Sequence, residues 1–592
     1  MSEYAPPLDD IRFVFDDVLE LAALAKLPGF EHADPEMVHG ALAEAGRFAA
    51  EVIAPLNRVG DRDHSRRNAD GSVTTPPGFA HAYEQYVESG WGSVPFPSQY
   101  GGGEFPWLVA TAIGEMMASA NAGFSLCPTL TQSAIDLLLA HGSEQQKNTY
   151  VAKMVMGEWT GTMNLTEPDA GSDLGAVRTK AVPDADGVWR ITGQKSFITY
   201  GDHDLAENII HLVLARVPDA PAGTRGISCF IVPKVLITPD GQLGGRNNVA
   251  CVSLEDKLGI HASPTCVIEF EDAEGYLVGE PNQGMRYMFT MMNNARLLVG
   301  VQGLAIAERA YQQAVAYAIE RQQGRGPGAA PGVSSPIIEH PDVRRMLMTQ
   351  KATIEAMRSL AYLVAESMDL AAHHPDQTVR DHRQELVEIL TPVTKAWCTD
   401  TGVELTSLAL QVQGGAGYIE ETGGAQYYRD ARIAPIYEGT NGIQAIDLVM
   451  RKLSMRDGAA VADFITELAA LDSQLVLDGP ELASIRISLA IAVAALRSAT
   501  KFLSGAESID RLAGAVPYLR MFGIVTGGWL MARQALGATQ RLATSPNDTD
   551  FLRAKLVTAR FYCEQILPQA AGLLSATTAR AGDLLALTPE QF

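Results

Sequence analysis

Residues 163–173 read MNLTEPDAGSD. Thr166, Asp169, Gly171 and Ser172 crowd hydroxyls, a carboxylate and main-chain N–H groups into one turn-rich stretch. Such a stretch suits a polar cofactor. Alone it reads equally well as a loop of Asx and Ser turns. What lies on either side decides more. Upstream, Val38, Leu42, Ala45 and Ala49 recur at helical spacing within residues 35–52, and residues 108–117 and 134–140 are similar. Downstream, from about 157 to 284, come short β-rich runs at 188–192, 196–199, 209–215, 226–232, 249–254 and 266–270. Gly, Pro, Asp and Asn separate them, which predicts an antiparallel sandwich or barrel.

Helix returns at Gln283. Val343, Leu347, Ile354, Met357, Ala361, Val364 and Met368 step by fours and threes, with Gln350 as the polar break. That pattern predicts a long bundle helix. Residues 383–412 predict another, bent or broken near Pro392. Residues 324–335, GRGPGAAPGVSS, read as a loop. Residues 460–592 are rich in Ala and Leu, with turns expected at Gly479, Pro480, Pro546 and Asn547. They predict an additional helical domain.

The 592 residues carry a formal charge of −23, and 47% are apolar. The acidic balance argues against a general nucleic-acid binder. Residues 461–592 hold 11 Lys plus Arg against 12 Asp plus Glu, so no basic tail exists. Six Cys without a CxxC pair give neither a disulfide framework nor a zinc module, and read as buried thiols of a reduced compartment. The first residues lack a basic and then apolar leader. No run of about 18 uncharged apolar residues predicts a membrane span. The expectation is a cytoplasmic, multi-domain protein.

Two further stretches carry candidate chemistry. In GQKSFITYGD, residues 193–202, Phe197 and Thr199 lie two apart on a predicted strand, so they share a face. That pairing sets a ring and a hydrogen bond beside a flat heterocycle; an ordinary strand with one core Phe is the competing reading. In RDARIAPIYEGTNGIQ, residues 429–444, Glu438 sits among apolar neighbours and before Gly439. Apolar surroundings raise a carboxyl pKa and suit it to proton abstraction. The competing reading is a helix N-terminus capped by Glu438 or Thr440. QVQGGAGY, residues 411–418, follows a predicted helix and is no Rossmann fingerprint. Asp202, His203 and Asp204 form a lone cluster, read as a solvated loop and not as a metal site.

Taken in order, a helical block, TEPDAGSD, KSFIT on a β module, then a helical block with QVQGGAGY and IYEGT resembles the acyl-CoA dehydrogenase flavoenzymes. The resemblance spans about 35–455. APPLDDIRFVF at 5–15, KSFITYGDHD at 195–204 and the added C-terminal region resemble its large bacterial subgroup, which includes 3-methylthiopropanoyl-CoA dehydrogenases. The implied fold is mainly α with a central β-barrel. Its parts would be an extension (1–34), a helical domain (35–157), the β-barrel (158–282), a helical bundle (283–455) and the additional helical domain (460–592).

The resemblance also implies chemistry. Glu438 would take the α-proton of an acyl-CoA while the β-hydride passes to flavin N5 of FAD, giving a trans-2-enoyl-CoA. A second branch of the family places its base where this chain has Ala295, which has no acid–base group. Thr166, Ser172, Phe197, Thr199, Arg321, Gln411, Gly415 and Thr440 fall at FAD-contacting positions, Gln411 and Gly415 across a dimer interface. Ser172, Asn293, Arg296, Tyr437 and Gly439 fall at substrate positions. Phe197 stands where the family usually has Trp, and Asn293 where it often has Asp. No metal is implied. An electron-transfer flavoprotein would accept the electrons, and the added C-terminal helices imply a homodimer. Two other readings stay open: an acyl-CoA oxidase on the same scaffold, and a non-catalytic flavin-binding homologue associated with nucleic acid.

Overall fold

The computed structural model describes residues 4–184, 187–477, 482–544 and 549–592. The turns expected at Gly479, Pro480, Pro546 and Asn547 lie outside the described residues. The chain forms two compact units. One comprises Glu44–Phe105 and Met116–Leu298; the other comprises Met1–Ala43, Pro106–Glu115 and Val299–Phe592.

The first unit holds the sheet. Its strands are β1 (Trp159–Asn164), β2 (Lys180–Pro183), β3 (Trp189–Thr199), β4 (Asn208–Ala215), β5 (Ser228–Pro233), β6 (Val249–Leu254) and β7 (Thr265–Leu277). The spatial order is β1-β4-β5-β7-β3-β2, with β6 also on β7. β7 turns a corner: its first part pairs with β3 and β6, and its last two residues pair with β5. The curl brings Lys180 beside Arg216, just past β4, through Ala181 N–H to Arg216 O and Arg216 N–H to Thr179 O, both 2.8 Å. The result is the expected barrel-like module around Ile191, Ile198, Val213, Phe230 and Ile268. It is not wholly antiparallel, because β1 and β4 run parallel. A parallel pair needs a long crossover, and residues 165–207 supply one that includes β2 and β3. A helix of this unit, α1 (Ala122–His141), is buried along most of its length.

Asp202 and His203 are buried, which corrects the expectation of a solvated loop. Lys234 pairs with the Asp202 carboxylate, and His203 Nε2 lies 2.9 Å from Thr160 Oγ1. Burial, and then the Lys234 charge, pushes the His203 pKa down to about 3, so the ring stays neutral.

Long helices build the second unit. They are α2 (Gly284–Glu320, whose first turns belong to the first unit), α3 (Pro341–His373), α4 (Gln377–Gln413), α5 (Asn441–Met450), α6 (Ala459–Leu477), α7 (Ala483–Gly505), α8 (Ser508–Thr544) and α9 (Thr549–Phe561). α3 is the predicted bundle helix, but it is buried on every side over 352–365, and Gln350 is buried too. α4 runs unbroken through Pro392, against expectation. Proline removes one ladder hydrogen bond, but Ile389, Leu390 and Val393 on either side of it are fully buried and keep the helix together. α2 and α4 touch backbone to backbone: a Cβ on Gly303 would meet Cys398 O at 2.5 Å. α7 is long and apolar enough, on composition alone, to cross a membrane. It carries Arg486, Arg497 and Lys501, and it buries Leu489, Val493, Leu496 and Leu503. All six cysteines are buried and free.

Neither end of this unit is an appendage. Ile11, Phe13 and Phe15 are fully buried, each burial contributing about 1.5–3 kcal/mol. Phe13 meets Phe551 edge-on and Phe15 meets Tyr362. Lys555 of α9 is buried with its ammonium paired to Asp10 and, at 3.1 Å, to Glu355. Burial works against the Asp10 charge, but Lys555, Lys351 and Arg358 hold its carboxyl far below the usual range. Nearby, buried Arg358 donates to Glu115 (2.7 and 2.9 Å) and Glu308 (2.8 Å). Lys555→Met leaves Asp10 and Glu355 as poorly compensated buried charges. It should lower unfolding free energy by about 3–5 kcal/mol in a single transition followed by denaturant titration. A separate melt of residues 460–592 with an unchanged bundle would contradict this interlock.

Candidate active site

The TEPDAGSD turn leaves β1 and is anchored by its carboxylate. Buried Glu167 accepts from Thr179 N–H (3.0 Å), Thr179 Oγ1 (2.6 Å) and Lys195 Nζ (2.7 Å) at Oε1, and from Arg178 N–H (2.7 Å) at Oε2. Lys195, fully buried on β3, also donates to Leu165 O at 3.0 Å. Burial presses both charges toward neutrality. It pushes the Lys195 ammonium down to about 8. Burial opposes the Glu167 charge as well, but Lys195 and the other donors hold its carboxyl below the ordinary value. With the turn pinned there, Thr166 is half-buried and Ser172 exposed. Thr166 O accepts from Ser196 N–H at 2.9 Å, tying the turn to β3.

Phe197 is next along β3, 62% exposed, with φ at +59°. The β3–β7 register shifts there, between Lys195 opposite Ile268 and Ile198 opposite Cys266. A left-handed, exposed phenylalanine is strained and poorly solvated, a combination that clusters at ligand sites. Thr199, two residues on, is half-buried, whereas Ile198 between them points into the core. The ring is open to solvent and Thr199 partly so, although the register shift and the left-handed turn interrupt the simple alternation of the strand. On α2, Asn293 is exposed and Arg296 buried, with Arg296 Nη1 3.5 Å from Asn293 Oδ1 and the guanidinium over Phe289. Ala295 is buried between them.

In the second unit, residues 432–440 form a tight loop entering α5. Asn441 N–H closes it onto Pro435 O at 3.0 Å. Glu438 lies within the loop at φ +56°, followed by Gly439 at +79°. The two carbonyls are held from inside. Gln444 Nε2 donates to Glu438 O (3.3 Å) and Gly439 O (3.2 Å), and Lys395 Nζ donates to Gly439 O (2.9 Å). Tyr437 donates its hydroxyl to Gln302. Burial, and next the Glu438 charge, pushes the Tyr437 phenol up. Thr440 Oγ1 caps α5 by accepting from Ile443 N–H at 3.3 Å, so the capping reading holds for Thr440. Glu438 is half-buried and Ile436 is 47% exposed, so the expected apolar wall is partly open.

Arg321, at the C-terminal end of α2, is exposed, as are Gln411 near the end of α4 and Gly415 in the turn after it. Gly414 has φ +60°, and a Cβ on either Gly414 or Gly415 would meet nothing within 4 Å. Tyr418 of this turn is 87% exposed.

Family models match nearly the whole chain. They are "Acyl-CoA dehydrogenase, N-terminal domain" over 39–158, "middle domain" over 162–273, "C-terminal domain" over 282–453, and "Acetyl-CoA dehydrogenase C-terminal like" over 459–588. The chain belongs to the acyl-CoA dehydrogenase family. Acyl-CoA dehydrogenases are oxidoreductases that bind FAD. The chain is 46% identical to 3-methylmercaptopropionyl-CoA dehydrogenase of Ruegeria pomeroyi, over 98% of this chain and 99% of that protein. It is 34% identical to a butyryl-CoA dehydrogenase of Syntrophomonas wolfei, over 100% of this chain and 99% of that protein. An acyl-CoA dehydrogenase from Bacillus anthracis, solved with FAD, matches with a TM-score of 0.73 and 20% identity, over 92% and 88% of the two chains. In this acyl-CoA dehydrogenase the expected mainly helical fold with a central β module and an added C-terminal domain is present.

Reading the sequence missed Glu167, Lys195, Lys395 and Gln444. A signal existed for the lysines: each stands where its element turns inward, Lys195 beside core Ile198 and Lys395 amid Val393, Ala396 and Trp397. Lys195→Met should cost about 3–5 kcal/mol, and Lys195→Met with Glu167→Leu should recover most of it. The Glu167 pKa is lowered by folding, so its contribution is complete above the ordinary carboxylate range and is lost as pH falls through the lowered value. Acid unfolding curves should therefore be steeper for the wild type than for the double variant.

Proposed function

We propose that this acyl-CoA dehydrogenase converts an acyl-CoA to its trans-2-enoyl-CoA, with Glu438 as the base that removes the α-proton. The observation that carries the reading is the loop at 432–440. It presents a half-buried carboxylate on a left-handed turn whose carbonyls are taken up by buried donors. A fixed base within reach of a proton is what general-base catalysis requires. Thr166, Phe197, Thr199, Arg321, Gln411, Gly415 and Thr440 would hold FAD, and Ser172 its phosphates or the pantetheine. Bound FAD supplies a two-electron acceptor for the hydride that leaves Cβ. Tyr437, Gly439, Asn293 and Arg296 are assigned to the thioester and CoA. A backbone N–H beside Glu438 would steady the thioester oxygen as enolate charge develops.

The Ruegeria relative supports 3-methylthiopropanoyl-CoA as substrate, and the Syntrophomonas relative supports a short straight acyl chain. We assign the sequence-derived boundaries at 35, 158, 283 and 460 to four successive domains after an N-terminal extension. We further assign a homodimer, an electron-transfer flavoprotein as acceptor and a cytoplasmic location. The exposed Gln411, Gly415 and Tyr418 support the dimer, and six buried free thiols support a reducing compartment.

Glu438→Gln should bind FAD normally and lose about 10²–10⁴ of turnover, read as flavin bleaching by butyryl-CoA and 3-methylthiopropanoyl-CoA with an artificial acceptor. Retained turnover would remove Glu438 from the mechanism. Dilution should release FAD in step with dimer dissociation, followed by analytical ultracentrifugation at the flavin band. A monomer that keeps its flavin would refute the cross-subunit contacts.

A further inference from the structure

Lys395 lies in the middle of α4 and is fully buried, as are its neighbours Thr394 and Ala396. Burying an ammonium costs several kcal/mol unless hydrogen bonds and charge answer it. Here Nζ donates to Gly439 O (2.9 Å) and Asn441 Oδ1 (2.8 Å), both in the segment that carries Glu438. Asn441 is itself locked to α4, donating through Nδ2 to Ala396 O (3.1 Å) and Thr399 Oγ1 (3.0 Å). Fully buried Gln444 takes Glu438 O and shares Gly439 O with Lys395. Both carbonyls that follow the Glu438 Cα are thus turned inward and fixed.

A left-handed non-glycine residue is strained and persists only where its surroundings over-determine it. Glu438 is such a residue, and these donors are the surroundings. We propose that Lys395 is a positioning residue: its ammonium grips Gly439 O and Asn441, and so sets the turn that aims the Glu438 carboxylate. A charged donor makes stronger bonds than a neutral one. An ammonium is also compact, with rotatable donors that serve acceptors on two different residues. This inference rests on the reading of Glu438 as the base.

Lys395→Met keeps the length and the apolar stem, so a lysine that merely fills space predicts no change. The test uses the FAD-loaded enzyme with butyryl-CoA and 3-methylthiopropanoyl-CoA. We expect kcat to fall about 100-fold with KM nearly unchanged, the signature of a misplaced group rather than lost binding. Anaerobic wash-out of the Cα proton into D₂O should fall in parallel. Amide exchange of residues 435–441 should rise, a change that needs no turnover to detect. A kcat within about twofold of wild type and unchanged amide protection would overturn the proposal. So would a kcat loss matched by equal losses of FAD content and thermal stability. If Lys395→Met fails to fold, Gln444→Leu loosens the same carbonyls with Lys395 in place; it should lower kcat less, again at constant KM, and an unchanged kcat would also overturn the proposal. Glu438→Gln in parallel separates the two readings: turnover there defeats the base, whereas an inert Glu438→Gln beside a fully active Lys395→Met defeats only the role of Lys395.

Discussion

The second unit depends on a buried web of charge. Lys555 near one end of the chain meets Asp10 near the other, with Glu355 of the central helix between them. Arg358, one turn from Glu355, gathers Glu115 and Glu308. None of these groups tolerates burial alone. Each segment is therefore admitted only when the others are present, and the bundle is specified by mutual need as much as by apolar area. The helix that carries Lys395 packs within that frame, and the loop of Glu438 rests on it.

Two of the candidate site residues are strained in the same way. Phe197 and Glu438, one in each unit, both adopt a backbone conformation that β-carbons resist. A buried lysine works near each: Lys195, two residues before Phe197, pins the turn at Leu165 and Glu167, and Lys395 takes Gly439 O.

Much of this was legible in the chain. Val38, Leu42, Ala45 and Ala49 fell on one buried stripe because helical spacing and burial are tied by geometry. The β module showed itself by short runs between turn residues. What was not legible required partners distant in sequence. Pro392 reads as a bend or a break, and burial on both sides goes with a helix that continues through it. Asp202 and His203 read as solvent-facing until Lys234 and Thr160 are set beside them. The parallel β1–β4 pair is invisible to local pattern, since nothing within a strand encodes the direction of its neighbour. The family was recognisable by the order of its motifs, whereas Glu167 and Gln444 were silent because buried polar residues have no local pattern, and Lys195 and Lys395 showed only through their apolar neighbours.

The burial of Phe13 and Phe15 has a consequence for how the protein comes into being. Arg533 bonds Val18 across 515 positions, and Arg541 bonds Asp17 across 524. Phe13, which meets Phe551, can therefore be covered only after that distant segment has been made. Contacts of such long range close late and slowly. The interval invites aggregation or chaperone capture, and expression of this enzyme should respond to translation rate more than a modular protein of equal length would.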